Sequence, residues 1–478
     1  ILRRCGRSVV MLDRARHPRF AIGESSTPTA NLILKSLAER YGLDWLAPLA
    51  KYGPWQRTYP QITSGLKRGF SYFLHEPQQP FTLHADHRNE LLVAASATIE
   101  NSDTQWLRAD VDQFLFQKAV AEGCLAFEEA AVSGIQREGA GWHVEFQHGS
   151  RMERIEARFL IDATGSGSLL SRFLPMEDET SRLWTRSRAV FAHFDDLPRW
   201  PAWLSGQTNE HFTPLPDHPW PCDDAALHHL LEEGWMWWLR FNTGRVSAGI
   251  MMDEARSPFS RDVSARSEWD HIISRYPSLR DIFSTAHISG PGTDILGTPR
   301  LQRLTGQAAG EGWAMLPSTA GFIDALHSTG IAHTLGGIER LTRMLAEDWQ
   351  SARLPQQLAD YSGIVRGELL LIDRIVSGCY AGLAAHSFRK FVCFSMAYFA
   401  AVTTWERRRL SEPDWNGWLF CADDPGLMNA LQEMHADCHR LSDDDFERLT
   451  ERLLAPFNQV GLFSPPIPNI YLATSVPE

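Results

Sequence analysis

One stretch constrains the fold more than any other: Gly321-Phe322-Ile323-Asp324-Ala325-Leu326-His327-Ser328-Thr329-Gly330-Ile331. It reads as a small-residue turn, a hydrophobic strut, and a Ser-Thr-Gly run that opens an apolar helix over Ile331 to Met344. Backbone N–H groups at a helix start lack partners and carry positive partial charge, so they attract anions. Glycine at 330 lets a flat ligand or a small anion approach the backbone closely. Alone, such a turn is common. It gains weight from three further segments: residues 13 to 28, Lys67, and residues 162 to 167.

Ser8 to Leu12 is a β-branched, apolar run that ends at Asp13 and is expected to be a buried parallel strand. Ile1 to Cys5 reads as the end of a helix stopped by Gly6. The chain therefore opens inside a βαβ unit, whose first strand and Gly-rich turn are expected upstream. Asp13 stands where an acid at the end of the second strand binds a ribose hydroxyl, or serves as a strand-end turn residue. Thr29 to Tyr41 is expected to be a helix stopped by Gly42, and Gln113 to Glu122 another, capped by Asp110 or Asp112. Residues 131–136 and 142–147 alternate as a hairpin. Phe159 to Asp162 reads as a second buried strand, followed by Ala163-Thr164-Gly165-Ser166-Gly167. From Ala189 to Met252 the pattern is β-rich and aromatic, and 234–241 and 244–251 are expected to pair. After Pro355 the chain reads as mostly helical to about Leu454.

Bulk properties bound the function. A chain of 478 residues suits two or three domains. The net charge of −12, with no dense Lys/Arg run, argues against a nucleic-acid partner. Seven scattered cysteines with no C-x-x-C pair argue against a disulfide framework or a zinc site, so no metal is expected and a reducing cytoplasm is the simpler setting. The most apolar stretch, Phe391 to Trp405, falls short of the roughly 20 residues needed to span a bilayer and reads as a buried helix. The 17 tryptophans suit either an indole-rich core or a pocket for a flat aromatic ligand.

Two loops carry candidate chemistry. Arg19 to Pro28 places Glu24, Ser25, Ser26 and Thr27 before a helix start, where a carboxylate and a cap are both favourable. The Asp162 to Gly167 turn is small enough for a pyrophosphate or ring to approach its backbone. Arg108 suits either a phosphate or a surface salt bridge.

In this order the segments resemble flavin-dependent halogenases, within the wider class of FAD monooxygenases, from Ile1 to about Met344. Val9 to Asp13 is similar to the family's second strand, Ile22-Gly23-Glu24-Ser25 to Pro28 to its flavin-side loop, and Leu160 to Gly165 to its Asp-Ala-Thr-Gly strand end. Leu326 to Ile331 resembles its Leu-x-Ser-Thr-Gly-Ile turn, and Gly65 to Phe73 its catalytic-lysine segment. The resemblance implies an α/β chain: an FAD-binding, glutathione-reductase-like three-layer domain (1–185, returning at 301–350), an inserted β-sheet substrate domain (186–300) and a helical C-terminal region (351–478). It implies Lys67 as the catalytic amine, with the Thr329 and Gly330 amides holding halide. For the flavin it implies Asp13, Arg19, Ile22, Gly23, Glu24, Ser25, Arg108, Asp162, Ala163, Thr164, Gly165, Gly321, Asp324, Gly330 and Ile331.

The implied reaction is halogenation of an electron-rich aromatic substrate, free or carrier-bound, using reduced FAD, O2 and chloride or bromide. No second nucleotide motif for NAD(P)H is visible, so reduced FAD is expected from a separate NAD(P)H-dependent flavin reductase. An aromatic hydroxylase and a flavin reductase of prenyl chains are the alternatives. The sequence departs from the family in three places. Trp235-Met236-Trp237-Trp238-Leu239-Arg240 keeps the two tryptophans of the family's Trp-x-Trp-x-Ile-Pro segment but not its end, so Trp235 and Trp237 line either the substrate pocket or one face of a strand. His327 stands where tryptophan halogenases carry Glu, as an acid/base group or as a packed residue. Leu316-Pro317-Ser318 replaces the Gly-Asp pair of the hydroxylases. Lys67 itself is read as catalytic, against the alternative of a solvated strand-edge cation.

Overall fold

The computed structural model describes residues 1–206 and 217–474. The β-branched and aromatic runs of the middle segment build its largest layer, a nine-stranded sheet. Its order is His287–Gly290, Ser187–Asp195, Val246–Asp253, Gly234–Arg240, Ala226–Leu231, Gly69–Leu74, Glu90–Ala94 and Ile470–Tyr471, with Leu296–Thr298 also on Ser187–Asp195. Gly234–Arg240 and Val246–Asp253 pair antiparallel, as the alternation predicted. The sheet is not confined to residues 186–300: it draws strands from 69–94 and from 470–471.

Alternation splits this sheet between two cores. Phe70, Tyr72, Trp235 and Trp237 face one core, together with the C-terminal helices. Phe73, Met236 and Trp238 face the other, under the helices Ala265–Arg275 and Pro277–Phe283. Trp235 and Trp237 are thus neighbours on one buried face of a strand.

A second group of strands is short. Val10–Leu12 pairs parallel with Leu125–Phe127, and Leu160–Asp162 pairs parallel with Trp313–Met315. Both were expected to be buried, yet Val10 is 40% and Ile161 39% exposed. The reason is edge position: each strand has one paired neighbour. Val9 and Met11 on one side and Ile161, Leu316 and Leu345 on the other line an apolar cleft of about 250 Å³.

Helices follow their capping chemistry. Pro28–Tyr41 begins at Thr27, whose hydroxyl accepts from the Ala30 N–H, and ends at Gly42 with φ of 60°. The next helix differs from expectation. It runs Arg108–Ala121, starting at Leu107 without a side-chain cap, because Asp110 accepts from the Thr63 N–H and Asp112 faces Arg108. The hairpin 130–148 gains an unexpected third strand, Arg151–Ala157. Beyond Pro355 lie the helices Leu354–Ala384, Phe388–Ser411, Pro425–Asp437 and Asp443–Leu454. The apolar run 391–405 is buried within the second of these. No helix of the described residues is long and apolar enough to cross a membrane.

Candidate active site

The loop after Asp13 folds onto a chain of charges. Arg19 Nε lies 3.3 Å from Asp13 Oδ2, and its Nη1 lies 3.4 Å from Asp112 Oδ2. Arg108 grips Asp112 through Nε and Nη2 at 2.8 and 2.9 Å. Its Nη1 donates to the carbonyls of Ile22 at 3.0 Å and Gly23 at 3.1 Å. The fold therefore gathers Asp13, Arg19, Ile22, Gly23 and Arg108, and the Arg108 donors serve the protein. Gly23 has a φ of +93°, a conformation that a side chain would strain.

The next residues zip onto the strand Asp103–Trp106. The Trp106 N–H donates to the Glu24 carbonyl at 2.6 Å, Ser25 bridges Gln105, and the Ser26 N–H donates to the Thr104 carbonyl at 2.9 Å. The other edge of that strand pairs with Ser64–Lys67, setting Lys67 opposite Asp103. This register aims the Lys67 amine back at the loop, where Nζ donates to the Ser26 carbonyl at 2.6 Å. Lys67 is fully buried, with Nζ 4.2 Å from the centre of the Phe70 ring. Burial pulls the amine down to about 7, partly offset by the charge of Asp103. The solvated strand-edge alternative is excluded.

The Glu24 carboxylate turns into the large sheet. Oε1 lies 2.9 Å from His193 Nε2, and Oε2 accepts from the Ser247 hydroxyl at 2.8 Å. Ser247 Oγ in turn accepts from Trp237 Nε1 at 3.2 Å. Trp235 is tied to the other loop. Its Nε1 donates to the Tyr380 hydroxyl at 3.0 Å, which donates to Asp324 Oδ2 at 3.1 Å. Asp324 also accepts from the Ser187 hydroxyl and the Leu326 N–H, and burial pushes it up to about 6. Gly321 is a packing residue: a Cβ there would sit 2.4 Å from Leu369.

Past this turn, Ser328 adopts a left-handed φ of 55° and starts the helix Thr329–Glu347 without a side-chain cap. Gly330 is exposed, with no atom within 4 Å of where a Cβ would sit. Thr329 beside it is buried and Ile331 half-buried. His327 is buried, stacked on Tyr398 with ring centres 4.5 Å apart. Burial, with a smaller push from His228, lowers it to about 3, so it is neutral at physiological pH.

On the second strand end, Asp162 accepts from the Thr164 N–H and hydroxyl and from the Leu170 N–H, so its carboxylate shapes its own turn. Ala163 and Thr164 follow it, and Gly165, with φ of +58°, donates its N–H to Thr319 Oγ1 at 3.0 Å.

Aromatic rings connect the Lys67 end to the 327–331 end. Phe70 lies 6.4 Å from Tyr398 and 5.6 Å from Phe399, and Tyr398 stacks on His327. Thr27, Phe70, Val93, Tyr398, Phe399 and Glu406 line a narrow cavity of about 20 Å³ here. That is roughly the room one water needs. Trp235 and Trp237 are not among its walls. Glu406 accepts from the Thr29 hydroxyl at 2.7 Å, and burial pushes it up to about 8. It was not singled out in the sequence, although a carboxylate four residues beyond Val402 on an apolar helix face is a readable signal. Ser26, Asp103, Asp112, His193 and Ser247 were also missed as partners. Asp112 stands at i,i+4 from Arg108, a spacing that could have announced it, whereas each of the others comes from a segment remote from the residue it serves.

The tryptophan halogenase family model matches residues 105–380. The chain is 30% identical over 397 residues to tetracycline 7-halogenase of Kitasatospora aureofaciens, covering 80% of this chain and 66% of that protein. It is 29% identical over 399 residues to monodechloroaminopyrrolnitrin halogenase PrnC of Pseudomonas fluorescens, covering 79% and 64%. It thus spans just under two thirds of the length of these relatives. The crystal structure of the halogenase PltM in complex with phloroglucinol and FAD superposes with a TM-score of 0.85, covering 99% of this chain and 96% of that one at 21% identity, a likeness of fold. With more than half of its length matched by the family model, the chain belongs to the tryptophan halogenase family.

Proposed function

We propose that this chain is a flavin-dependent halogenase acting on an electron-rich aromatic substrate. One observation carries the reading. A buried amine, pulled down to about 7, sits on the carbonyl of the 22–28 loop and is joined by a run of aromatic rings, edge-on from Phe70 to Tyr398 and stacked from Tyr398 to His327, to the helix start at 329–331.

The residues present fit a flavin and a halide. Gly23 and Gly165 have left-handed backbones, and Gly330 faces open space at a helix start with no side-chain cap. Such surfaces admit a flat ring or an anion against backbone N–H groups. FAD would lie along Ile22 to Ser25, Ala163 to Gly165 and Gly330–Ile331, with Asp13 and Arg19 toward its ribose. In this reading Arg108, Glu24, Asp162 and Asp324 hold the loops in place rather than touching the ligand. Chloride or bromide would sit on the Thr329 and Gly330 amides. Bound there, reduced FAD with O2 supplies the oxidising equivalents that convert halide to hypohalous acid.

The protein's own part is to carry that oxidant to the arene. Near neutral pH both forms of Lys67 are populated. The ammonium donates a hydrogen bond to hypohalous oxygen, and the free amine has a lone pair to form an N–halogen bond. The apolar wall of Phe70, Tyr398 and Phe399 leaves room for about one water, which limits loss of the oxidant to solvent. The ring enters against this wall by parting its side chains. His327, held neutral, packs and orients rather than protonates.

The curated relatives are named for a tetracycline and a pyrrolnitrin precursor, and another for a carrier-bound pyrrole. The substrate is accordingly an arene, free or carrier-bound. Reduced FAD would come from a separate NAD(P)H-dependent reductase in the reducing cytoplasm, a setting that suits seven cysteines all present as free thiols. Incubation with a reductase, FAD, O2, bromide and a panel of arenes should give products heavier by one bromine for hydrogen. Product formed equally well without halide would defeat the reading.

A further inference from the structure

The geometry points to a zinc-binding site that the cysteine pattern gives no hint of: His87 Nδ1, His218 Nε2 and the Glu90 carboxylate as three ligands to one zinc ion. Glu90 starts the strand Glu90–Ala94, opposite Phe73, and is 1% exposed. Its Oε1 lies 2.6 Å from His87 Nδ1 and its Oε2 2.8 Å from His218 Nε2. All the ligand atoms lie within 4.8 Å of one another. No Lys or Arg among the described residues pairs with this carboxylate. A buried carboxylate needs a cation or several donors, and a metal ion held between it and the two imidazoles would supply that charge.

The groups behind His87 support the same reading. The far nitrogen of His87, Nε2, lies 3.4 Å from Asp217 Oδ2. A carboxylate behind the non-ligating nitrogen is the arrangement that orients metal-bound histidines. The His87 backbone is held with φ of 55°, and its carbonyl is fixed by the Asn469 side chain at 2.9 Å. Two imidazoles and one carboxylate suit tetrahedral zinc with water as the fourth ligand. At Zn–N and Zn–O lengths of roughly 2.0–2.2 Å, tetrahedral ligand atoms lie about 3.4 Å apart, so the two contacts would open by roughly 0.6–0.8 Å.

The ion would not belong to the halogenation chemistry. Glu90 lies four residues along its strand from Ala94, which faces Gly69 next to the Lys67 segment, so the two are separated by about 13 Å of strand. Its role is to staple the end of the large sheet to the segment leading into Trp220. That segment supports the Lys67 strand region in turn, because the Asp224 carbonyl accepts from the Arg68 N–H and the Cys222 carbonyl from the Ser71 hydroxyl.

The full chain, grown with zinc and freed of any histidine tag, should contain about one zinc per chain by elemental mass spectrometry. Glu90→Gln and His218→Ala should each lower that content at least about fivefold. Chelation should lower the melting temperature, and zinc but not magnesium should restore it. Cobalt added to the chelated wild-type protein should give the visible absorption of a tetrahedral site, a readout that survives if a variant fails to fold. Wild-type protein with no zinc, no cobalt spectrum and no thermal response to either metal would overturn the site, leaving a carboxylate bonded by imidazoles alone. Equal zinc in wild type and variants would overturn it as well.

Discussion

The large sheet and the short-stranded half use glycine for opposite ends. In the sheet, a Cβ at Gly249 would sit 2.2 Å from the Trp237 ring and 2.5 Å from Phe191. That glycine exists so that aromatic side chains can close over the strand. In the other half, a Cβ at Gly330 would meet nothing within 4 Å, and the Gly165 turn is equally open. One region is packed against itself, whereas the other keeps its backbone accessible. The same residue type thus marks packing in one place and approach in the other, and the chemistry proposed for this chain lies where the two regions meet, at Lys67.

The strongest test acts on that junction. Lys67→Ala removes the amine while leaving both glycine turns untouched. Halogenation should fall by at least about 100-fold, while oxidation of reduced FAD continues. A variant that still halogenates at the wild-type rate removes the amine from the mechanism and leaves the meeting point without a chemical role.

The glycine contrast can be tested directly. Gly249→Ala should destabilise by about 1–3 kcal/mol, because the Trp237 indole must move aside and the Phe191 Cβ must give way. Gly330→Ala should leave the melting temperature unchanged or slightly raised, since alanine favours a helix and has space here. Its halogenation rate should nonetheless fall by about tenfold, because the added methyl stands between the backbone and an anion. Equal stability losses in the two variants would erase the distinction between packing and access.

Burial of Lys67 also leaves a stability signature. The ordinary value of a lysine amine is 10.5, and burial pulls this one to about 7. Between those values the unfolded chain binds more protons than the folded one, so stability rises with pH across that interval. Below pH 7 the fold must hold a buried charge. Lys67→Met should therefore be more stable than wild type at pH 6, and the gap should shrink by pH 9 by an amount on the order of 2 kcal/mol. Denaturant titrations at the two pH values measure it. A pH-independent gap would mean that the amine reaches solvent.

How far the sequence could be read follows the same division. Local rules identified the capped helix after Thr27, its stop at Gly42, the aromatic strand pair and the helix expected from Ile331, which begins two residues earlier at Thr329, because each depends on neighbours in the chain. The Lys67 segment was legible only through family resemblance. Its burial was not, since it depends on strand 103–106 placing the loop carbonyl of Ser26 over the amine. Nor did periodicity reveal that residues 69–94 would join the large sheet, or that Glu24 and Asp324 would turn inward to Ser247 and Tyr380. Such pairings join residues 56 to 223 positions apart. The two outer strands misled because apolar composition predicts a buried strand, whereas burial depends on having neighbours on both sides.

The smallest effect concerns the tryptophans that span the two regions. Trp237 bonds Ser247, which bonds Glu24 of the loop, and Trp235 bonds Tyr380, which bonds Asp324 of the turn. Each loop is therefore anchored to the same strand through one indole. Trp237→Phe keeps a ring on that face but loses one neutral hydrogen bond, and Ser247 can still donate to Glu24. The expected cost is about 1 kcal/mol by denaturant unfolding, with halogenation reduced only a few-fold. If the indole instead formed a wall of the substrate site, the loss would appear in KM for the arene or in the position of the halogen on the ring, with stability little changed. An anchoring role predicts the opposite order, with stability falling first and the regiochemistry intact, because a loosened loop still presents the same Lys67 amine to the same ring.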